Sequence, residues 1–599
     1  MAGTALAVIG AFLFLASLLY LPPVQTLIKN RAAALISQET GMCVTIGKVR
    51  LSFPLDLLVG DIVATQDADT VVAAGQLLID IRLLPLFSGK VDINGFELRQ
   101  AKLNSRDLIS DTRIEGVFNL LAIDKPAVCD LKTNSIDLYR IRFSNADISV
   151  ALSDTARKDT TPSEPSPWKI KLGEARLHNT RIHLQMPGDS MRLNADIQRL
   201  RLCDALIDLR SETFKVGDID LASRNVAYHL PYEPKRPATG ANPHPLDFNH
   251  LGFDVLSLKA KDFRYAGQSL DIKLHKLALK EKSGLTLNEL SADIHYDTAC
   301  LTVNNANLRT PGSWLEADLR LPFSAISTQG HGSMEAKVKG AISKADISIL
   351  TSNSFDDLLA RCPNKSLGIQ ARAEGSLSDL TIDYCNLSMP QSIDLRLHGT
   401  VRQLLSDKKR NGQIHYATTL KDVRFANNLI PHGLRQTIRI PNNIQVGGDI
   451  SFSGSTYTLT RNTVYHGGGS MAFSGSFSAR SMSYAGCLQA NRFPLHAFMP
   501  SMNLSPLTAT FNIKGHGTDF MSGGTNVTAR GAIDSFAYDG IPLDGVSLDA
   551  DLKGTQAHAV LLSDNRWLKA NLNITAAKNG HETSVALNGN IDQFSLNLG

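Results

Sequence analysis

Aromatic and charged side chains are both scarce in this sequence. Of its 599 residues, 6% are aromatic and 20% are charged, and the formal net charge is only +4 at pH 7. Such a composition provides no extended basic surface for nucleic acid. The one notable basic run, Lys408-Lys409-Arg410, fits a solvated hairpin tip. We therefore predict that the protein has no nucleic-acid partner.

Cysteine is also sparse, and the sequence lacks the motifs of metal and nucleotide chemistry. The seven cysteines are widely separated and none stands at a metal-ligand spacing, which favours buried small apolar residues over ligands. Neither H-E-x-x-H nor G-x-x-x-x-G-K-[ST] occurs in the chain. We therefore expect no metal site and no cofactor.

One segment is similar to a catalytic motif. Residues 466–470 read His-Gly-Gly-Gly-Ser, which is similar to the H-G-G-G oxyanion element of lipases and esterases. The G-x-S-x-G nucleophile elbow that accompanies this element occurs nowhere in the chain. A glycine-rich turn between two strands explains the same residues. The sequence therefore predicts a protein that is not an enzyme and has no catalytic residues.

The longest apolar stretch lies at the amino terminus. No charged residue precedes Lys29, and residues 6–21 are the centre of a segment of roughly the 20 residues that span a bilayer. We predict a transmembrane anchor over residues 1–23 and an amphipathic helix over residues 24–41, with Gly41 as its C-terminal stop. A cleaved signal peptide is the alternative, but it usually has a shorter apolar core and a small-residue cleavage site.

The two ends of the sequence lead to a further expectation. No basic residue precedes the apolar segment, so the positive-inside rule can be applied only to Lys29 and Arg31, which follow the segment. Applied literally, the rule places these residues and the body of the protein in the cytoplasm. At the other end, residues 591–596 stop within a strand-like pattern that would leave an open edge. We expect the chain to be truncated at both ends.

Beyond Gly41 the hydrophobic period changes from that of a helix to that of a strand. Apolar and polar residues alternate from residue 42 onward, most clearly at residues 315–321, where leucine and alanine alternate with charged residues. The alternation of apolar residues shifts by one position between Ile93 and Phe96, across Gly95, which indicates a bulge. We predict further strands over residues 334–349, and short helices over residues 354–361 and near Pro494. Loops rich in proline, serine and charge are predicted at residues 154–167 and 231–245.

This alternation implies an antiparallel sheet with one apolar face that must be covered. A second sheet would give β-sandwich domains, in which each apolar residue is an ordinary core side chain. The absence of domain-sized linkers instead favours an all-β fold over residues 42–599, in which one elongated antiparallel sheet folds lengthwise into a groove. The groove would be lined collectively by these residues: Ile79, Ile81, Ile182, Leu184, Ile272, Leu274, Leu315, Ala317, Leu319 and Ile533.

An apolar groove suits acyl chains. Each buried methylene contributes about 0.8 kcal/mol and needs no directional partner. Acyl chains would therefore cover the predicted groove in place of a second protein layer. No single lining residue would be essential, since the contribution is spread over many positions.

Several segments resemble a known family. The resemblance rests on five segments. They are Leu-Pro-Pro-Val-Gln at residues 21–25, the continuation TGMCVTIGKVRLSFPLDLLVGDIVA, and the stretches at residues 280–297, 306–323 and 488–520. Together they resemble the amino-terminal part of AsmA-like proteins, most closely the translocation and assembly module (TamB) branch of Bacteroidetes type. The resemblance covers most of the chain, but it includes no catalytic signature.

The resemblance implies a protein of the inner membrane of Gram-negative cells, with a single-pass anchor and its body in the periplasm. It implies movement of phospholipid toward the outer membrane and support of outer-membrane biogenesis. The alternative is a scaffold that assists outer-membrane protein assembly with an Omp85-type barrel partner, without bulk lipid transport. The family's terminal module is not recognisable here, so the resemblance does not imply that this chain docks to that partner. A surface adhesin built from sandwiches is a third possibility.

Overall fold

The computed structural model describes residues 22–594, except positions 53–55, 67–68, 83–89, 106–111, 131, 153–165, 234–245, 328–331, 352–355, 407, 424, 426, 428–429, 431–434, 436, 518–522 and 580–581. The predicted membrane helix and most of the two predicted loops lie outside the described residues. Among the residues that are described, no helix is long and apolar enough to cross a membrane.

The first described element is a helix, α1, over Pro22–Thr40, close to the helix predicted for residues 24–41. Proline is accepted at its start because the first N–H groups of a helix have no intrahelical partner. Gly41 ends the helix with a φ of +69°, and its N–H donates to the Ser37 carbonyl at 3.0 Å, as predicted for the stop. Apolar and polar residues are mixed around α1, so its amphipathic character is weaker than predicted.

Contacts between Cα atoms divide the chain into two compact units, which are described separately. Unit 1 comprises Met1–Thr298, Thr302–Pro311 and Ile349–Asn353. A short 3₁₀ segment, Pro187–Asp189, lies between two of its strands. The strands of unit 1 are β1 Cys43–Ser52, β2 Asp56–Gln66, β3 Asp69–Arg82, β4 Lys90–Asn104, β5 Thr112–Asp130, β6 Ser135–Leu152, β7 Lys169–Gln185, β8 Arg192–Asp208, β9 Thr213–His229, β10 His250–Ala266, β11 Ser269–Glu281, β12 Thr286–Leu287 and β13 Glu289–Tyr296. The next strand, β14 Cys300–Arg309, has residues in both units.

Unit 2 comprises Ala299–Leu301, Gly312–Ser348 and Ser354–Gly599. Its strands are β15 Trp314–Pro322, β16 Met334–Ile342, β17 Leu367–Gly375, β18 Asp379–Met389, β19 Ile393–Arg402, β20 Asn411–Leu420, β21 Ile444–Ser453, β22 Thr456–His466, β23 Gly469–Ser478, β24 Ser483–Phe493, β25 Leu507–His516, β26 Asn526–Ser535, β27 Ala537–Tyr538, β28 Ile541–Pro542, β29 Val546–Lys553, β30 Gln556–Asp564, β31 Leu568–Asn579 and β32 Glu582–Phe594. Its helical segments are the 3₁₀ turn Phe323–Ala325 and the helices α3 Asp356–Arg361 and α4 Leu495–Phe498, while the helix α2 Lys344–Leu350 has residues in both units.

Strands dominate both units, which confirms the all-β class. Within the described residues of each unit the strand pairings are mostly antiparallel, as predicted, whereas β6 and β7 run parallel. The two-residue strands β27 and β28 pair with each other, and Tyr538 of β27 also forms an isolated antiparallel bridge with Leu504. The predicted bulge at Gly95 is confirmed, since the register of β4 shifts between Ile93 and Gly95.

The strand prediction for residues 334–349 is wrong in its second half. Strand β16 ends at Ile342 and α2 follows it. The Ser343 hydroxyl accepts the Asp346 N–H at 3.2 Å and donates to the Asp346 carboxylate at 2.8 Å. This reciprocal cap stabilises the first turn of a helix and outweighs the short alternating pattern. The helices predicted over residues 354–361 and near Pro494 are present as α3 and α4.

The glycine-rich segment at residues 466–470 forms a tight hairpin turn. Strand β22 ends at His466 and β23 begins at Gly469, with Gly467 and Gly468 between them. Their φ angles of +55° and +81° are left-handed, as a two-residue hairpin requires. This confirms the interpretation of these residues as a turn.

Candidate functional site

Apolar side chains form continuous rows across the sheets of both units. Residues directly opposite each other on neighbouring strands project from the same face of a sheet. Following the paired residues from strand to strand therefore defines a row across the sheet. In each unit several neighbouring rows are almost entirely apolar, and their common side is here called the apolar face of that unit.

In unit 1, one row contains two of the predicted lining residues, Ile79 and Leu274. Between β2 and β13 the row holds only apolar side chains. Its members in strand order are Leu57, Ile79, Phe96, Ile123, Ile141, Ala175, Leu202, Ile219, Ala260, Leu274 and Ala292. We call it the Ile79 row.

The other residues predicted in unit 1 lie in further apolar pairings. Ile81 is opposite Ile93, although the side chains of both are outside the described residues. Ile272 is opposite Ile294. Ile182 pairs with Ile148 and Ala195, and Leu184 pairs with Val150 and Leu193, which form two further rows at the other end of the strands.

A line of bulges crosses the sheet of unit 1. Residues with left-handed backbone angles recur near one level of the sheet, with φ angles near +50° at Asp61 on β2, Gln100 on β4, Asn145 on β6, Asn179 on β7 and Asn225 on β9. A bulge bends its strand and increases the local twist. The side chains beside this line are small or branched and deeply buried. They include Ala74, Ala101, Ala146, Thr180 and Ile197. The strands of unit 1 are therefore bent at the level where the apolar face is most buried.

In unit 2, Leu315 and Ile533 lie in one row despite their distance in sequence. The row runs from β15 to β32 and includes only two hydroxyl residues. Its members are Leu315, Gly340, Ile369, Leu387, Leu395, Thr418, Val446, Val464, Met471, Ala490, Ala509, Ile533, Val546, Ser563, Ala570 and Ile591. We call it the Leu315 row.

Leu319 begins a second long row in unit 2. Every member is apolar or glycine, and bulges in β18 and β22 keep these residues on one face. The members of this Leu319 row are Leu319, Ala336, Ala373, Ile382, Gly399, Ile414, Ile450, Leu459, Gly475, Gly486, Ile513, Ala529, Ala550, Ala559, Ile574 and Leu587.

Ala317 lies between these two rows. It pairs with Val338, and this middle row continues through Ala371, Cys385, Leu397 and Tyr416. Leu315, Ala317 and Leu319 are all partly exposed, and Ile513 and Leu587 in the Leu319 row are 41% and 61% exposed. Leucine and isoleucine beneath a second sheet would be buried. This exposure favours an open apolar face in unit 2 over a sandwich core.

One end of this face is covered by other parts of the same unit. Ala490, Phe493, Leu507 and Ala509 form a buried cluster, here called the Phe493 cluster. Phe498 from α4 packs on it, with its ring 5.1 Å from that of Phe493. Ile533 packs against the same cluster. Ile533 is thus partly covered by protein, although Leu274 in unit 1, which is 9% exposed, is the more buried of these two predicted lining residues.

A single buried polar side chain, Asn462, interrupts the middle row of unit 2. It is opposite Phe473 and 0% exposed. Its carbonyl accepts the Tyr416 hydroxyl at 2.8 Å, and its amide donates to the Thr460 carbonyl at 3.0 Å. Burial raises the pKa of Tyr416, so its hydroxyl remains a donor at neutral pH. The polar groups satisfy each other, so no unpaired charge enters the apolar face here.

We expect Asn462→Leu to destabilise unit 2 by about 1–3 kcal/mol, because it leaves the Tyr416 hydroxyl without its acceptor. Adding Tyr416→Phe should restore a substantial part of that loss, since both partners of the hydrogen bond are then absent. Urea unfolding of the single and double variants measures the coupling. Purely additive losses in the double variant would show that the hydrogen bond is not the cause.

The opposite face of unit 1 carries ion pairs. Glu174 on β7 is 7% exposed and contacts three arginines: Arg201 and Arg140 at 2.6 Å and Arg176 at 3.0 Å. Hydrogen bonds from Arg201 first, and from Arg176 and Arg140, lower the pKa of Glu174 to about 2, against an opposing effect of burial. These charges compensate one another across β6, β7 and β8. The two faces therefore differ in chemistry as well as in pattern.

Aromatic residues at one margin of the apolar face of unit 2 were not predicted as site residues. Phe452, Tyr457, Phe477 and Tyr484 are consecutive partners on β21 to β24, and we call them the aromatic row. Each lies next to a hairpin turn in sequence, so a search for aromatic residues beside glycine or serine turns could have found them. Their alignment depends on register, which a single strand does not reveal.

The apolar faces are suited to the burial of nonpolar groups. Among the described residues, no group of histidine, cysteine or acidic side chains is arranged to hold a metal ion. The predicted lining residues lie in apolar rows of their own units. No protein-family model and no curated protein sequence matches this chain.

Proposed function

We propose that the protein binds phospholipid acyl chains along the apolar faces of its sheets and moves phospholipid between membranes. The observation that carries this proposal is the set of partly exposed apolar rows in unit 2, from β15 to β32. At about 4.8 Å between strands, these rows extend on the order of 70 Å, more than twice the roughly 30 Å hydrocarbon thickness of a bilayer.

The energetics favour sliding over fixed binding. Each methylene that leaves water contributes about 0.8 kcal/mol, and leucine, isoleucine and alanine offer similar surroundings at successive strands. A chain that moves along a row exchanges one apolar contact for another. The line of bulges in unit 1 supports a sheet folded lengthwise into a groove, since aligned bulges impose curvature at one level.

We further propose an inner-membrane anchor formed by the apolar segment at residues 6–21, with the body in the periplasm and lipid moving toward the outer membrane. This part rests on the apolar composition of that segment and on the family resemblance. Cooperation with an Omp85-type barrel protein rests on the resemblance alone. The proposed activity is transport without catalysis.

Photo-crosslinking in cells tests the binding proposal. A photoreactive residue at Leu319 lies on the apolar face, whereas one at Arg320, the next residue of β15, lies on the opposite face and is the matched control. Lipid adducts at position 319 and none at position 320 are the expected result. Protein adducts at position 320 without lipid at position 319 would favour the assembly scaffold. No lipid at either position would overturn the proposal.

A further inference from the structure

The two ends of the strands in unit 2 differ in chemistry. At one end the Phe493 cluster and α4 cover part of the Leu315 row. The Phe498 carbonyl accepts the Arg439 N–H at 2.7 Å, which fixes α4 to the segment before β21. Acyl chains that lie across the strands meet protein at this end.

The other end of the same strands carries the aromatic row. Tyr457 and Phe477 are opposite each other and are 37% and 38% exposed. The Tyr457 hydroxyl accepts a hydrogen bond from Arg410 at 3.1 Å. Tyrosine and phenylalanine at the boundary between an apolar surface and water are typical of side chains that contact the interfacial part of a lipid.

Basic side chains follow the aromatic row at the hairpin turns. Lys408, Lys409 and Arg480 are exposed, and no ion pair holds any of them within the described part of the chain. Three turns lie side by side: the Gly454 N–H donates to the Arg410 carbonyl at 2.7 Å, and the Ala479 N–H donates to the Ser455 carbonyl at 2.9 Å. We call this set of turns, residues 408–410, 453–456 and 478–483, the basic turns.

The distance across the strands matches an acyl chain. In β21 the Leu315 row is at Val446 and the aromatic row is at Phe452, six residues along the strand. At about 3.4 Å per residue this is on the order of 20 Å. One leaflet of a bilayer has about 15 Å of hydrocarbon, half of the roughly 30 Å core. A lipid with its tails at the Phe493 cluster therefore has its headgroup at the basic turns.

We propose that the basic turns bind the phosphodiester group of a phospholipid whose acyl chains lie across the apolar face of unit 2. The aromatic row contacts the region between chains and headgroup, and the lysine and arginine charges favour headgroups with net negative charge. This inference rests on the proposed lipid binding and adds the orientation of the lipid and the class of its headgroup. Exposed basic side chains are attracted to anionic lipid headgroups, so several of them together favour an anionic lipid over a zwitterionic one.

A charge-neutralised variant of the full chain tests the inference. Lys408→Gln, Lys409→Gln and Arg480→Gln together remove three charges from the basic turns but leave Arg410, which contacts Tyr457, unchanged. A control variant removes three charges from the opposite face of the same unit. It combines Lys337→Gln, Lys339→Gln and Arg396→Gln. Each protein is incubated with vesicles of equal phosphatidylglycerol and phosphatidylcholine, and the bound lipids are quantified by mass spectrometry.

The wild type and the control variant should bind phosphatidylglycerol in at least fivefold preference, and the test variant should lose most of that preference while total bound lipid stays within about twofold. The preference should also weaken in 1 M salt, where the Debye length is about 3 Å. Ten-millimolar inorganic phosphate should not displace the lipid, which would separate headgroup binding from a site for free phosphate.

An unchanged preference in the test variant, an equal loss in the control, or displacement by inorganic phosphate would overturn the inference. Absence of bound lipid from the wild type would instead contradict the proposed function itself. The two failures are therefore distinguishable in one experiment.

Discussion

Replacement of Leu319 by aspartate should reduce phospholipid transfer at least tenfold while unit 2 stays folded. Leu319 is only partly buried, so water can hydrate the new carboxylate when no lipid is present. An acyl chain over this position would remove that water and leave the charge unpaired, since its cross-strand partner is Ala336. A penalty of only about 1.4 kcal/mol is enough for a tenfold change. Transfer between donor and acceptor vesicles measures the effect.

Two control variants are needed. One distinguishes the effect of the added charge from the effect of losing a leucine, and the other shows whether the effect depends on which face of the sheet carries the charge. Leu319→Asn removes the same apolar surface without adding a charge, and it should reduce transfer by less than about threefold. Arg320→Asp adds a carboxylate to the neighbouring residue on the opposite face and should leave transfer within about twofold. Transfer by Leu319→Asp equal to that of Leu319→Asn would contradict the proposal that this position is covered by acyl chains.

The sequence predicts the faces of individual strands well. In β15 the alternation of leucine and alanine with charged residues matches the observed alternation of partly buried and exposed side chains. The period of a strand is two residues, so the sequence determines which residues share a face within one strand. In β15 the predicted alternation between an apolar and a polar face is therefore observed.

The relation between strands could not be predicted in the same way. Leu315 and Ile533 share a row because the strands between them pair in a particular register, which includes bulges that shift the partners. The left-handed residues that form the bulges in unit 1 are aspartate, asparagine and glutamine, which are also ordinary polar-face residues. The sequence of a single strand therefore does not show whether such a residue forms a bulge or is an ordinary residue of the polar face.

Local hydrogen bonds and long-range packing explain the remaining differences. The cap between Ser343 and Asp346 produces α2 where an alternating pattern predicted a strand. Ile533 was predicted as a lining residue, but α4 and Phe493 come from a segment far before it in sequence and pack against it. The parallel pairing of β6 and β7 was not predicted, because the composition of residues 154–167 indicates a loop without showing in which direction the next strand runs.

Replacement of Glu174 by glutamine should destabilise the sheet around β6, β7 and β8 by about 3 kcal/mol at pH 7. The Glu174 carboxylate joins Arg140 on β6 to Arg201 on β8, so it stabilises the place where parallel and antiparallel pairing meet. A pKa lowered from 4.5 to about 2 corresponds to about this free energy in favour of the charged form. Hydrogen exchange of the backbone amides of β6 to β8 should accelerate on the order of a hundredfold.

The contribution of the Glu174 carboxylate to stability depends on pH. Because the folded-state pKa is the lower one, the stabilisation is complete above pH 4.5 and is lost as the pH falls toward 2. The wild type should therefore lose urea resistance between pH 5 and pH 3, and the Glu174→Gln variant should lose less of it. Glu115→Gln, which breaks the exposed pair with Arg113, should cost no more than about 1 kcal/mol. Equal exchange rates in the two variants would contradict a stabilising role for the buried carboxylate, because burial among three arginines is what distinguishes Glu174 from Glu115.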